Sequence, residues 1–329
     1  MATVGIIASP SAGKDVRRLV ANAGSVGDVD KIALIRRAAV GAIEGGADRL
    51  VVLDDKRHLI RRALEEALPA GVEVEVLDLE PMGTGRDSQR AAASLADVGA
   101  GAVLSFGGDG TCRDVAKGWL RAPLVPLAVG TNNVFPLHIE ATLGGLAAGL
   151  VASGRLSLDD VAVPAKVIHV EVDGGPDDLA LVDVVLVAGD FVGSRAVWHV
   201  EDVVAAVFAI ADPASIGLSA IGASSVPTTR DDDRGVFVRT GPGGSEVRAA
   251  IAPGTFADVS LEVAEALSLG ETVVFSGPGV LAFDGERDHV LGHGDTVRLT
   301  VRRDGPLVID PVLATRLAAN GKIHPIEGA

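Results

Sequence analysis

Tyrosine is missing from this 329-residue chain, and cysteine, tryptophan and methionine are nearly so, at one, two and two residues. A single cysteine, Cys112, excludes an intramolecular disulfide framework and a cysteine-based zinc cluster, and gives no sign of an oxidising compartment. The cytoplasm is the ordinary expectation. Long apolar runs are lacking as well. The longest, residues 179–189 (interrupted by Asp183) and 203–211, fall short of the roughly 20 that a membrane-spanning helix needs, so no membrane span is expected. The first residues carry no basic leader and enter a strand-like segment at once, which does not read as a signal peptide. Positive charge is scarce: 29 Lys and Arg against 44 Asp and Glu leave a formal charge of −15. That excludes the coating of a phosphate backbone or an anionic membrane, and nucleic acid is not an expected partner.

What is present is a chain long enough for two domains, 48% hydrophobic and rich in glycine (41 residues). Through the first 150 or so residues, short β-branched runs alternate with helical spacing of apolar positions, the sequence form of an α/β layer on a parallel sheet. Strands are expected at 3–8, 49–53, 73–78, 102–106 and 124–128, and helices at 15–22, 31–41, 57–67, 87–97, 112–120 and 141–152. Beyond residue 155 the rhythm changes to strands separated by Gly, Pro and Asp turns, at 161–172, 179–188, 234–239, 246–251, 272–276, 280–283 and 296–302. Helical spacing recurs there only at 198–210 and 258–267, so the second half reads as mainly antiparallel β. The run Asp231-Asp232-Asp233 reads as a solvated turn.

Three loops carry the chemistry. Gly107-Gly108-Asp109-Gly110-Thr111 follows a strand and opens a helix, where unpaired helix N–H groups and the helix dipole favour an anion. Its glycines admit close approach and positive φ, Thr111 offers a hydroxyl, and Asp109 is the one acid. A carboxylate beside phosphates is repulsive unless it serves a metal or takes a proton from an attacking hydroxyl. Ser9-Pro10-Ser11-Ala12-Gly13-Lys14 and Gly130-Thr131-Asn132-Asn133 end two further strands, and all three loops would converge on one crevice. The first is not a Walker A loop, since it starts from Ala8 and continues to Asp15. Gly83-Thr84-Gly85-Arg86-Asp87-Ser88 is not a Rossmann fingerprint; Asp87 or Ser88 reads as a helix cap, or Thr84 or Arg86 as a secondary phosphate contact. His289 and His293, flanked by glycines, do not form a helical zinc pair, and Cys112 reads as a small buried residue.

With these residues in view, the chain resembles the superfamily that joins NAD kinases, diacylglycerol kinases and sphingosine kinases, and within it a branch of ATP- or polyphosphate-dependent NAD kinases that takes in proteins of acetoin catabolism. The resemblance runs over residues 4–20, 31–54, 83–117, 130–136, 180–198 and 283–286. It implies an α/β fold: an N-terminal parallel-sheet nucleotide-binding domain (1–155, rejoined by the tail 305–329) and a β-sandwich-like acceptor-binding domain (156–304). It implies ATP or polyphosphate with Mg²⁺ as cofactors, a small-molecule substrate, NAD first among them, and a homo-oligomer. By the same resemblance Asp109 is the loop acid, and Gly107, Gly108, Gly110 and Thr111 form the phosphate cradle. Ser11, Gly13 and Lys14 match the first loop, although Ser9 stands for its usual Asn and Ala12 for its Ser. Gly130, Thr131, Asn132 and Asn133 match the third loop.

Where NAD kinases carry an Asn-acid pair for the dinucleotide, this chain has Val182-Asp183, leaving Asp183 to meet a ribose. The Thr-Pro-Thr-Gly-Ser motif of those enzymes is not recognisable, and residues 222–228 stand in its place. Phe283-Asp284-Gly285-Glu286 is similar to a lipid-kinase motif whose Glu is a base, which makes Glu286 a second catalytic candidate; as Asp-Gly it also reads as a plain hairpin turn. The expected reaction is phosphoryl transfer to a hydroxyl of a soluble metabolite, with a lipid-alcohol kinase and a non-catalytic nucleotide-binding protein as alternatives. The charge supports a confined phosphate site: the net is −1 through residue 121 and −14 beyond it.

Overall fold

A computed structural model describes residues 1–12, 26–65, 68–69, 71–129, 133–189 and 200–321. The first half is built from β1 (Thr3–Ala8), α1 (Asp28–Glu44), β2 (Arg49–Val52), α2 (Leu59–Leu64), β3 (Glu73–Val76), α3 (Gly85–Asp97), β4 (Ala102–Gly107), α4 (Asp109–Gly118), β5 (Pro123–Ala128) and α5 (Ala141–Ala152). After α6 (Leu158–Val161) and β6 (Ala162–Pro164), the chain crosses into β7 (Val167–Val172), β8 (Asp178–Ala180), β9 (Asp183–Val187), β10 (Val203–Phe208), α7 (Ser219–Ala223), β11 (Arg234–Ala252), β12 (Thr255–Ser268), β13 (Thr272–Ser276), β14 (Gly279–Phe283), β15 (Glu286–Leu291) and β16 (Thr296–Arg302). It then returns through β17 (Leu307–Ile309) and α8 (Pro311–Ala319).

The first sheet has the order β3-β2-β1-β4-β5-β17-β6. Its strands run parallel as far as β17, and β6 closes the edge antiparallel. Parallel strands bury both faces, which is why β1 and β4 are continuous apolar runs. Val4, Ile6 and Leu104 join one core with α1, α2, α5 and α8. Ile7, Val51 and Val103 join the other, with α3 and α4. On the first face, α1 and α5 meet backbone to backbone: a Cβ on Gly145 would lie 1.9 Å from the Ala38 carbonyl oxygen, and one on Gly149 2.0 Å from that of Ala42.

Two antiparallel sheets make the second half, β12-β11-β10-β9-β14-β15 and β13-β16-β7-β8. Strand alternation sends Val184, Leu186, Val207 and Leu281 into a core shared with Ile168, Leu299 and Val301 of the smaller sheet, while Val185, Val187 and Ala206 face the other way, toward α7. The mixed α/β class expected from the sequence, with a parallel N-terminal sheet and antiparallel C-terminal sheets, is what the chain adopts.

Some elements differ from expectation. The helical spacing at 198–210 and 258–267 gives way to β10 and β12. β10 is a central strand paired on both sides, and β12 keeps Val259 and Leu261 buried at period two against the 19-residue β11. The single strands expected at 161–172 and 179–188 are each split in two, the first by the crossover between the halves and the second by a change of sheet. α3 starts at Gly85, ahead of the expected cap, because Asp87 reaches back to the amides of Met82 (2.8 Å) and Gly83 (2.6 Å). The helix expected at 15–22 lies outside the described residues.

Candidate active site

The loop at the end of β4 is shaped by steric need. A Cβ on Gly107 would fall 2.3 Å from the Thr111 side chain, and one on Gly108 would fall 2.8 Å from Asn133 Oδ1. None of Gly107, Gly108 and Gly110 has a positive φ, so close approach rather than left-handed backbone explains the first two. Thr111 is buried with its side chain over Gly107. Asp109, the first residue of α4, reaches across to the third loop, where its carboxylate accepts hydrogen bonds from the amides of Phe135 (2.8 Å) and Val134 (3.0 Å). The Gly107–Thr111 loop and the third loop are therefore tied through one carboxylate. Ser11 sits in an exposed turn after β1. Gly13, Lys14, Gly130, Thr131 and Asn132 lie outside the described residues. Lys31, buried at the start of α1, donates to the carbonyls of Pro10 (3.0 Å) and Ser9 (3.4 Å) and so secures the first loop; burial lowers its pKa.

Facing this crevice from the second half is a pair of acids. Asp183 opens β9 and is buried, and its Oδ1 accepts from the Gly285 amide (3.2 Å). Asp284 ends the β14–β15 hairpin in left-handed backbone (φ 50°), followed by Gly285 (φ 82°). The expected Asp-Gly turn is present, but its acid turns inward and accepts from the amides of Val182 (2.8 Å), Leu181 (3.1 Å) and Asp183 (3.2 Å). Burial pushes the Asp284 pKa above the ordinary carboxylate value, against the pull of Arg113 and these amides. Sequence reasoning favoured Glu286 in this motif. Glu286 is exposed, whereas Asp109, Asp183, Asp284 and Ser219 line one small space of about 20 Å³. That space adjoins a cleft of about 340 Å³ bounded by Asn133, His138, Asp212, Ser215, Ile216 and Arg230. Of this stretch of the chain, Asp212, Ala214, Ser215 and Ile216 line the cleft and Ile216–Ser219 the smaller space, whereas residues 222–228 line neither.

Three cations hold the two halves in register. Buried Arg113, on the phosphate-loop helix, donates through Nε to the Leu179 carbonyl (2.7 Å), pairs with Asp178 (2.8 Å) and Asp288 (3.3 Å), and stacks 4.4 Å from the Phe283 ring centroid. Burial works against its charge, but Asp178, Asp284 and Asp288 raise its pKa above the usual value. Arg230 donates to the carbonyls of Phe135 (3.2 Å) and Val134 (3.3 Å), the same residues whose amides hold Asp109. Arg303 joins the Pro164 carbonyl at the end of β6 (3.3 Å) to the carbonyls of Arg230, Asp231 and Asp232, which makes the Asp231–Asp233 run an ordered turn. Cys112 is buried, and burial followed by the Asp109 charge raises its pKa, so it is packing rather than a reactive thiol.

A sequence comparison matches the chain to acetoin catabolism protein X of Cupriavidus necator, with 33% identity over 338 residues, 98% of this chain and 93% of that protein. The chain belongs to the acetoin catabolism protein X family. Residues 166–304 match the model of that family's C-terminal domain, and residues 54–161 match the diacylglycerol kinase catalytic domain. The fold is similar to that of yeast NADH kinase complexed with NADH, at 13% identity and a TM-score of 0.52 over 95% of this chain and 85% of that one. The family accordingly falls within the NAD kinase and diacylglycerol kinase-like superfamily expected from the loops, and the chain has a kinase-like fold.

Proposed function

We propose that this protein transfers a phosphoryl group from ATP, or another phosphoanhydride such as polyphosphate, to a hydroxyl of a polar metabolite, with NAD at its adenosine 2′-hydroxyl as the first acceptor. The observation that carries this reading is the convergence of Asp109 from the phosphate loop with Asp183 and Asp284 at the inner end of a polar cleft. Gly107 and Gly108, where any Cβ would close the cradle, suit donor phosphates held by backbone amides. Among the described residues no three carboxylate, histidine or cysteine side chains are placed to hold a metal ion. Asp109 is the carboxylate of the phosphate loop, and Mg²⁺, which prefers few carboxylates and several waters, would be carried in on the donor phosphates beside it. When bound it would neutralise charge on the transferring group.

The chain's own contribution is positioning. Two amides orient Asp109, which takes the acceptor's proton as the acceptor oxygen bonds to phosphorus and the phosphoanhydride bond to the donor breaks, releasing ADP when ATP is the donor. Polar residues Asn133, His138, Asp212, Ser215 and Arg230 around the larger cleft favour a polar acceptor over a lipid alcohol. The test is transfer of label from γ-³²P-ATP, with Mg²⁺, to NAD, NADH and a diacylglycerol panel. Labelled dinucleotide supports the reading, labelled lipid replaces the acceptor, and nucleotide binding without transfer assigns a binding role instead.

A further inference from the structure

The backbone of Val134 and Phe135 is held from two sides. On its N–H side stands Asp109, whose carboxylate accepts from the amides of Phe135 (2.8 Å) and Val134 (3.0 Å). On its C=O side stands Arg230, whose Nη2 donates to the carbonyls of Phe135 (3.2 Å) and Val134 (3.3 Å). The Val134 carbonyl and the Phe135 amide belong to one peptide unit, so a hydrogen-bonded chain runs from guanidinium to carboxylate through a single resonating group. The dipole of that unit lies head to tail between the two charges, and each bond in such a chain strengthens the next. We infer that Arg230 is a positioning residue for Asp109: acting through the Val134–Phe135 peptide, it holds the carboxylate in the orientation that takes the acceptor's proton. The inference rests on the reaction proposed above, and it makes the acid of the first half depend on a cation of the second.

The surrounding chain keeps this arginine in place. Thr228 is buried, and its backbone exchanges two hydrogen bonds with Ala211 beyond the end of β10 (2.7 and 2.9 Å). Thr229 donates through its amide and its hydroxyl to the Asp232 carboxylate (2.7 and 2.9 Å). The Arg230 carbonyl itself accepts from Arg303 (3.1 Å). An arginine on a loose loop spends side-chain freedom for little gain. With its backbone fixed on either side, the planar fork of Arg230 is pre-organised for the two carbonyls. Val134 and Phe135 are themselves buried, where such bonds are stronger than in water. Arg230 and Val134 bound the 340 Å³ cleft, and Asp109 and Val134 the smaller space beside it. The cation thus lies along the larger cleft and the carboxylate along the smaller space, with the Val134–Phe135 peptide between them.

The experiment compares the full chain as wild type, Arg230→Lys, Arg230→Gln and Arg230→Met, and repeats Arg230→Met in an Asp109→Asn background. Lys keeps a donating cation, Gln keeps donors without charge, and Met keeps neither. Label transfer from γ-³²P-ATP is measured at saturation with whichever acceptor of the dinucleotide and diacylglycerol panel takes the label. The expected result is a kcat about tenfold lower in Arg230→Met and Arg230→Gln, the size of one charge-assisted hydrogen bond. The KM for ATP is unchanged, and Arg230→Lys stays close to wild type. In the Asp109→Asn background Arg230→Met costs nothing further, since the group it orients is gone. A second readout needs no acceptor. In protein labelled with ¹⁵N-phenylalanine, the Phe135 amide proton is one of eight signals, identified by its loss in Phe135→Leu. It moves upfield in Arg230→Met and Arg230→Gln, as its hydrogen bond weakens, and stays in place in Arg230→Lys. Where label is transferred, an unmoved Phe135 signal in Arg230→Met, a loss that multiplies with that of Asp109→Asn, or a loss confined to KM overturns the inference and leaves the reaction standing. A moved signal with no acceptor labelled supports the hold on Asp109 and overturns the reaction. An unmoved signal with no acceptor labelled overturns both.

Discussion

Asp109 joins two tasks in one carboxylate: it ties the phosphate loop to the Val134–Phe135 peptide, and in the proposed reaction it receives the acceptor's proton. Asp109→Asn keeps one accepting oxygen but turns an NH₂ toward backbone donors. The expected outcome is a folded protein less stable by about 1–2 kcal/mol, with transfer reduced about 10²–10⁴-fold; urea denaturation and label transfer measure the two. Lys166 provides a pH test. It is buried, donates to the carbonyls of Arg234 (2.7 Å) and Thr229 (2.8 Å), and burial followed by the Arg303 charge brings its pKa down to about 8. Between pH 8 and the unfolded value near 10.5, the unfolded chain binds more protons than the folded one, so this group makes stability rise with pH across that window. The gain is on the order of 3 kcal/mol at its upper end, and denaturation from pH 7 to 10.5 is expected to show it in wild type and not in Lys166→Met. The sequence made Asp109 visible because loop, acid and helix start are contiguous. Asp284 was hidden because the amides that turn it inward belong to residues 181–183, about a hundred positions away in the chain.

Element by element, the parallel half was the more legible. Its strands are buried on both faces, so each is an apolar run bounded by loops, and β1 and α5 have the expected limits. The antiparallel half misled where local spacing and pairing disagreed: residues 258–267 fit a helical repeat until β11 is present to pair with them. The glycines Gly145 and Gly149 of α5 are contact residues. Gly→Ala inside a helix ordinarily stabilises by about 1 kcal/mol. At Gly149 the sign reverses, since the new methyl would meet the Ala42 carbonyl at 2.0 Å. The expected cost of Gly149→Ala is about 1–3 kcal/mol, from forcing α1 and α5 apart, to be read as a lowered denaturation midpoint. Gly154→Ala is no control for this contact, because its backbone φ of 70° would itself strain the substitution.

For the whole molecule, the decisive contacts are those that join the halves. Arg113 links α4 to β8 and β15, and Val167, Leu181 and Ile210 of the second half pack into the α3–α4 core. Arg113→Met leaves Asp178 with Lys117 as its one cation, and the expected loss is about 3 kcal/mol; circular dichroism is expected to show one unfolding transition for the wild type and two for the variant. The two halves are also joined by two chain crossings that bond to each other: the Ala165 amide donates to the Pro306 carbonyl (2.8 Å), and the Gly305 amide to the Ala165 carbonyl (3.0 Å). The second crossing delivers β17 between β5 and β6. A growing polypeptide cannot complete its first sheet when the first half leaves the ribosome, because the strand that fits beside β5 is among the last to be made. Until then the β5 edge is an open template for another chain. The N-terminal half is therefore the first to be synthesised and among the last to be finished, since its sheet closes only after the antiparallel half has been made.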